Sequence, residues 1–169
     1  NIGSILVFFF FASQLIALFK KTNIGVVFTI KIIDILEKVE FTGFPLMIAF
    51  FILVALVNIF QTSAVLKWSV LAPSIVPMFM RQNISPEFAQ AIFRVADSTT
   101  NTISPFFPYF IVLIGMLQIY NKNEEAIGIK YTYKLLLPYA LGIFIFFILL
   151  LICTYIINLP IGVGVYPVL

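Results

Sequence analysis

Apolar residues run almost unbroken from Ile2 to Phe19, and Lys20 and Lys21 close the run. At about 1.5 Å of rise per residue this is just long enough to cross hydrocarbon, so 2–19 is expected to be a transmembrane helix. The pattern then changes. Over 23–40, Val26, Val27, Ile30, Ile33 and Leu36 recur at helical spacing while Lys31, Asp34, Glu37 and Lys38 take the other face. A two-faced helix with that many charges crosses hydrocarbon at high cost and is expected to lie in the headgroup plane. Gly43 and Pro45 open another apolar stretch, roughly Phe44 to Phe60, which meets the polar knot Gln61-Thr62-Ser63-Ala64 before apolar residues resume from Val65 to Met80. No external loop fits between the two arms. Either 44–80 is one long helix with a polar middle, or it is a re-entrant hairpin with its tip at the knot. Pro73 and Pro77, and a length of about 37 residues where roughly 20 suffice to span, favour the hairpin.

Ser85-Pro86-Glu87 reads as a helix start: a serine cap, proline at the first helical position, an acid in the first turn. That helix is expected to reach about Asp97. The following Ser98-Thr99-Thr100-Asn101-Thr102-Ile103-Ser104 is rich in side chains that bond their own backbone and compete with helix. Ser104-Pro105 then reads as a second start, with apolar residues to Tyr120, so 86–120 is expected to be one crossing made of a broken helix. Lys122 to Lys130 is a polar loop, and 134–157 is a last apolar span, ended by Pro160, Gly162 and Gly164.

Composition fits this picture. The chain has 169 residues, 62% hydrophobic and 10% charged, and a mean hydropathy of +1.13. Soluble domains carry roughly a quarter charged residues, so an all-α, multi-pass membrane protein is expected. The net charge of +3 is spread over the ends of apolar runs, which argues against nucleic acid as a partner. Cys153 is the sole cysteine and histidine is absent, which removes disulfides, thiolate metal sites and the commonest general base. No basic segment precedes the first apolar run, so it does not read as a signal peptide. The chain is taken as the C-terminal part of something longer. The positive-inside rule puts the Lys122–Lys134 loop in the cytoplasm.

Two sets of residues could carry chemistry. Glu87, Gln90, Arg94, Asp97 and Asn101 recur at three- and four-residue intervals and fall on one helical stripe. Arg94 and Asp97 could be a structural ion pair within that helix. Alternatively, Arg94 offers its planar fork to a substrate carboxylate, which would repay the cost of a charge at membrane depth. The second set is Asn58, the tip residues Thr62 and Ser63, Asp97, Thr100 and Asn101. They are all oxygen donors, brought together if a hairpin tip faces an unwound segment. Such a cage suits Na⁺, although ordinary capping of frayed helix ends would use the same residues, and a proton on Asp97 is a third option. Trp68 is either an interfacial anchor or a ring on a cavity wall. Lys67 beside it is a cavity cation or simply snorkels. No nucleophile–base pair is present, so an enzyme is not expected.

The stretches SAVLKWSVLAPSIVPMFM and SPEFAQAIFRVADSTTNTISPFFPYF, with FFFFASQLIALFKKTNIG and LPYALGIFIFFILLL, closely resemble the p-aminobenzoyl-glutamate transporter (AbgT) family. The resemblance implies a secondary transporter of the bacterial inner membrane, built from inverted repeats that each carry a re-entrant hairpin. This chain would then be the C-terminal repeat, with the N-terminal repeat of the same protein, a second protomer and membrane lipid as partners. It implies uptake of p-aminobenzoyl-glutamate with Na⁺ or H⁺ as the coupling ion and no other cofactor. Matched residue by residue, the family's Na⁺ site falls on Asn58 and Asp97, and its substrate pathway on Trp68, Pro86 and Arg94. One departure is the bulkier tip, Gln61-Thr62-Ser63-Ala64-Val65, where similar members carry Gly-Ser-Ala-Ser-Ala. Two other functions compete: proton-driven efflux of sulfonamide-type antimetabolites, and a membrane scaffold or assembly subunit that transports nothing.

Overall fold

The structure is a computed structural model. It describes residues 43–121 and 127–169 throughout, and before Gly43 only scattered positions (3, 6, 7, 10, 11, 14, 17, 18, 21–23, 27, 30, 31 and 34). The expected transmembrane helix 2–19 and interfacial helix 23–40 therefore lie largely outside the described residues. The rest is all helical: α1 (Gly43–Phe60), α2 (Ala64–Met80), α3 (Pro86–Thr99), α4 (Pro108–Tyr120) and α5 (Ile129–Ile157). Among the described residues, α1 and α5 are long and apolar enough to cross a membrane.

The polar knot breaks the helix at 61–63, and Ser63 turns to an extended backbone before α2 starts. α2 then turns back, and both arms pack on α3. The Phe50 and Phe79 rings meet edge-on at 5.4 Å, far from the knot, and Asn58 meets Lys67 beside it. Pro73 and Pro77 sit inside α2 without ending it, as membrane helices permit when neighbouring groups take up the freed carbonyls. At the far end, Asn83 takes a left-handed conformation (φ 56°), a turn asparagine tolerates better than most residues. The last residues of the chain pair with this turn: the Ser85 amide donates to the Pro167 carbonyl and the Leu169 amide to the Asn83 carbonyl, each at 2.9 Å.

α3 starts as its sequence predicts, with Ser85 Oγ accepting from the Phe88 amide at 3.2 Å and Pro86 at the first position. It is the central helix. α1, α2 and α5 all pack on it, and Phe88, Ile92, Phe93 and Ala96 are buried in the core they share with Phe50, Phe51 and Phe79. α3 ends at Thr99, and turns occupy 100–107. The second start signal is displaced. α4 begins at Pro108, after an extended Phe107, rather than at Ser104-Pro105. The reason is that the Ser104 hydroxyl is buried and donates to the Ile59 carbonyl of α1 at 2.8 Å, so it caps no helix of its own. α5 runs antiparallel to both pieces: Phe88 on α3 meets Tyr155, and Phe110 on α4 meets Tyr133. It closes with Asn158 in the left-handed conformation and the Leu159 amide returning to the Thr154 carbonyl at 3.0 Å.

Replacing Ser85 by alanine is expected to cost about 1 kcal/mol through loss of the α3 cap, and by glycine only a few tenths. Thermal unfolding of the detergent-solubilised protein checks that ranking.

Candidate functional site

Breaking a helix leaves its last carbonyls without partners, and at membrane depth water is not there to serve them. α1 ends at Phe60 and α3 at Thr99, side by side, and each end is capped by residues that accompany the other. Asn58 on α1 points its amide nitrogen at the Asp97 carbonyl (2.5 Å), Thr100 Oγ1 (3.1 Å) and Asn101 Oδ1 (2.7 Å). In return Thr100 donates to the Ala55 carbonyl at 2.9 Å, and Ser104 donates to that of Ile59. Thr99 takes the Ala96 carbonyl at 2.7 Å. No buried side-chain nitrogen or oxygen among the described residues lacks a partner.

One charge pair sits inside this cluster. Lys67, from the first turns of α2, buries its ammonium and bonds both Asn58 Oδ1 and Asp97 Oδ1. With its oxygen on the ammonium, Asn58 must present its NH₂ to the α3 carbonyl and the two side-chain oxygens beyond it. The sequence left Lys67 undecided between a cavity cation and a snorkelling side chain, and the structure gives it the central place. A readable signal existed: Lys67 and Asp97 are oppositely charged residues within apolar segments, and two such charges are far cheaper as a pair. The proposed ion pair within α3 does not form. Asp97 is committed to Lys67, and Arg94 is exposed on the neighbouring turn.

The predicted stripe divides at this point. Asp97 and Asn101 turn into the cluster, while Glu87, Gln90 and Arg94 open onto two adjoining cavities. One, of about 230 Å³, is walled by Ala64, Trp68, Phe93 and Arg94. The other, of about 340 Å³, lies between α3 and the C-terminal segment at Ile161, Gly162 and Val165. Trp68 packs on Phe93 at 4.9 Å with the rings tilted by 43°, and the indole and the Arg94 side chain line the same cavity. Pro86 stands at the start of α3 and lines neither cavity. Thr62 and Ser63 are half-buried at the tip, and no hydrogen bond among the described residues joins them to Asp97, Thr100 or Asn101. No group of three or more carboxylate, thiol or imidazole side chains able to hold a metal is found among the described residues.

Residues 1–169 match the profile of the AbgT putative transporter family. The chain is also similar to the p-aminobenzoyl-glutamate transport protein of Escherichia coli (strain K12). The two are 36% identical over 167 residues, 99% of this chain and 32% of that protein. The chain thus spans about a third of the length of the curated relative it matches. No solved structure matches.

Lys67→Met or Asp97→Asn alone leaves one buried charge unpaired and is expected to cost about 3 kcal/mol, whereas the double substitution recovers most of that loss. A double-mutant cycle of thermal unfolding in sodium-free detergent solution measures the coupling.

Proposed function

The chain belongs to the AbgT putative transporter family, and on that premise we propose that it builds the solute site of a secondary transporter for p-aminobenzoyl-glutamate in the bacterial inner membrane. The observation that carries this reading is the cavity shared by Trp68 and Arg94. An indole face and a planar guanidinium fork, side by side, complement a solute that joins an aromatic ring to carboxylates. The cavity's volume of about 230 Å³ is below the roughly 300–1,000 Å³ of a complete small-molecule site. It is therefore half of a pocket, to be completed by the remainder of the transporter.

The depth of the break supports transport over scaffolding. Tyr133 and Tyr155, the α5 partners of Phe110 and Phe88, stand on the order of 33 Å apart along a helix. That is about the hydrocarbon thickness. The α3–α4 break and the α1–α2 tip both fall between those levels, as in a re-entrant hairpin facing a discontinuous helix. A scaffold gains nothing from unwound backbone at that depth. Only 11% of the apolar window of α5 is buried within this chain. The remaining surface is assigned to lipid, to the preceding inverted repeat and to a second protomer.

In this mechanism Arg94 holds a substrate carboxylate and Trp68 stacks on the ring, while Pro86 sets the start of the helix that presents Arg94. Asn58 and Asp97, with Thr100 and Asn101, form the charge centre that couples movement to a Na⁺ or H⁺ gradient. Thr62 and Ser63 form the moving tip. Arg94→Lys keeps the charge but loses the fork, and Trp68→Ala removes the stacking face. Each is expected to lower uptake of labelled p-aminobenzoyl-glutamate into reconstituted vesicles at least tenfold, about 1.4 kcal/mol. Asp97→Asn is expected to make any residual uptake independent of the imposed gradient. Accumulation driven outward by a proton gradient, with a sulfonamide as the better substrate, would replace this reading with efflux.

A further inference from the structure

The side-chain oxygens of Asn58, Thr100 and Asn101, and one carboxylate oxygen of Asp97, are already engaged by protein donors. Asn58 Oδ1 and Asp97 Oδ1 face the Lys67 ammonium, and Thr100 Oγ1 and Asn101 Oδ1 accept from the Asn58 amide. Thr62 and Ser63 make no hydrogen bond to the group among the described residues. So arranged, the donor set does not fit an added cation. The newcomer would have to displace the ammonium from Asn58 Oδ1 and Asp97 Oδ1, or press against a like charge in a medium of low dielectric.

We propose that the Lys67 ammonium is the resident cation of the Asn58–Asp97 pocket, a tethered occupant that excludes an inorganic cation for as long as it stays there. Two features of its placement point this way. Lys67 is 1% exposed, so its charge is committed to this pocket rather than led out to the headgroups. It also lies near the N-terminus of its own helix, where the dipole disfavours a cation, and against the C-terminal end of α3, where the dipole favours one. The site thus holds a positive charge in place between the ends of two broken helices, which is the position an inorganic ion would take. Occupation by Lys67 and by a free cation are alternatives.

The inference rests on the reading of Asn58 and Asp97 as a cation position. Its readout is ion binding without substrate, so it can fail while the transport assignment stands, and the reverse. The full chain is purified in detergent, and its thermal unfolding is compared in sodium chloride and choline chloride at equal ionic strength. Lys67→Gln is expected to gain a saturable sodium-specific rise in Tm beyond that of the unmodified protein. Lys67→Arg retains a permanent cation and should gain none. In K67Q/D97N the gain should vanish, because the carboxylate that attracts the ion has gone. A sodium response in Lys67→Gln equal to that of the unmodified protein overturns the proposal. So does an equal gain in Lys67→Arg, or a gain that survives loss of the carboxylate. If Lys67→Gln cannot be purified in choline, sodium must recover it, and failure in both salts also overturns the proposal.

Discussion

Two helices that stop side by side within an apolar bundle must each find donors for their open carbonyls, and here they supply one another. The Asn58 amide serves the Asp97 carbonyl at the end of α3, and Ser104, beyond that end, serves the Ile59 carbonyl at the end of α1. Neither break is affordable alone, because an unpaired backbone group in hydrocarbon costs several kcal/mol. The pairing joins the ends of α1 and α3 and engages the polar residues that follow α3. It also creates the electronegative spot, two helix C-termini and a carboxylate, that the Lys67 ammonium neutralises.

What could be read from the sequence was whatever local chemistry decides. Ser85-Pro86-Glu87 specifies a helix start by itself, and the start lies there. The knot at 61–63 and the hydroxyl-rich 98–104 carry their own helix-breaking chemistry; the first is a break, and the second overlaps the break that follows Thr99. Ser104-Pro105 carries the same local signal as Ser85-Pro86, yet no helix begins there. Its hydroxyl is worth more to a distant carbonyl than to its own backbone, and no window of sequence contains Ile59. Lys67 was obscured in a similar way. A lysine at the foot of a short apolar helix commonly snorkels, and only the packing of α3 against α2 closes the route to the headgroups.

The stripe on α3 shows a subtler limit. Intervals of three and four drift by only about 20° per seven residues, so all five positions share a face, and what each meets depends on the neighbour at its level. Glu87, Gln90 and Arg94 therefore look toward open cavities, while Asp97 is taken by α2. The function proposed for Arg94 depends on that division. With Asp97 already neutralised by Lys67, the guanidinium has no partner among the described carboxylates and stays available to a solute.

The cavity and the charge cluster are built from the same two helical turns. Lys67 and Trp68 are consecutive on α2, one facing the cluster and the other the cavity, and Arg94 and Asp97 are one turn apart on α3 with the same division. A shift of α2 along α3 cannot move the ammonium relative to Asn58 and Asp97 without also moving the indole relative to the guanidinium. Packed helices tend to hold discrete arrangements rather than deform continuously. The geometry of the charge pocket and the shape of the Trp68–Arg94 cavity are therefore two readouts of one helix–helix register. In the proposed transporter, that shared register would couple an ion gradient to a solute, provided that each ligand favours a different arrangement.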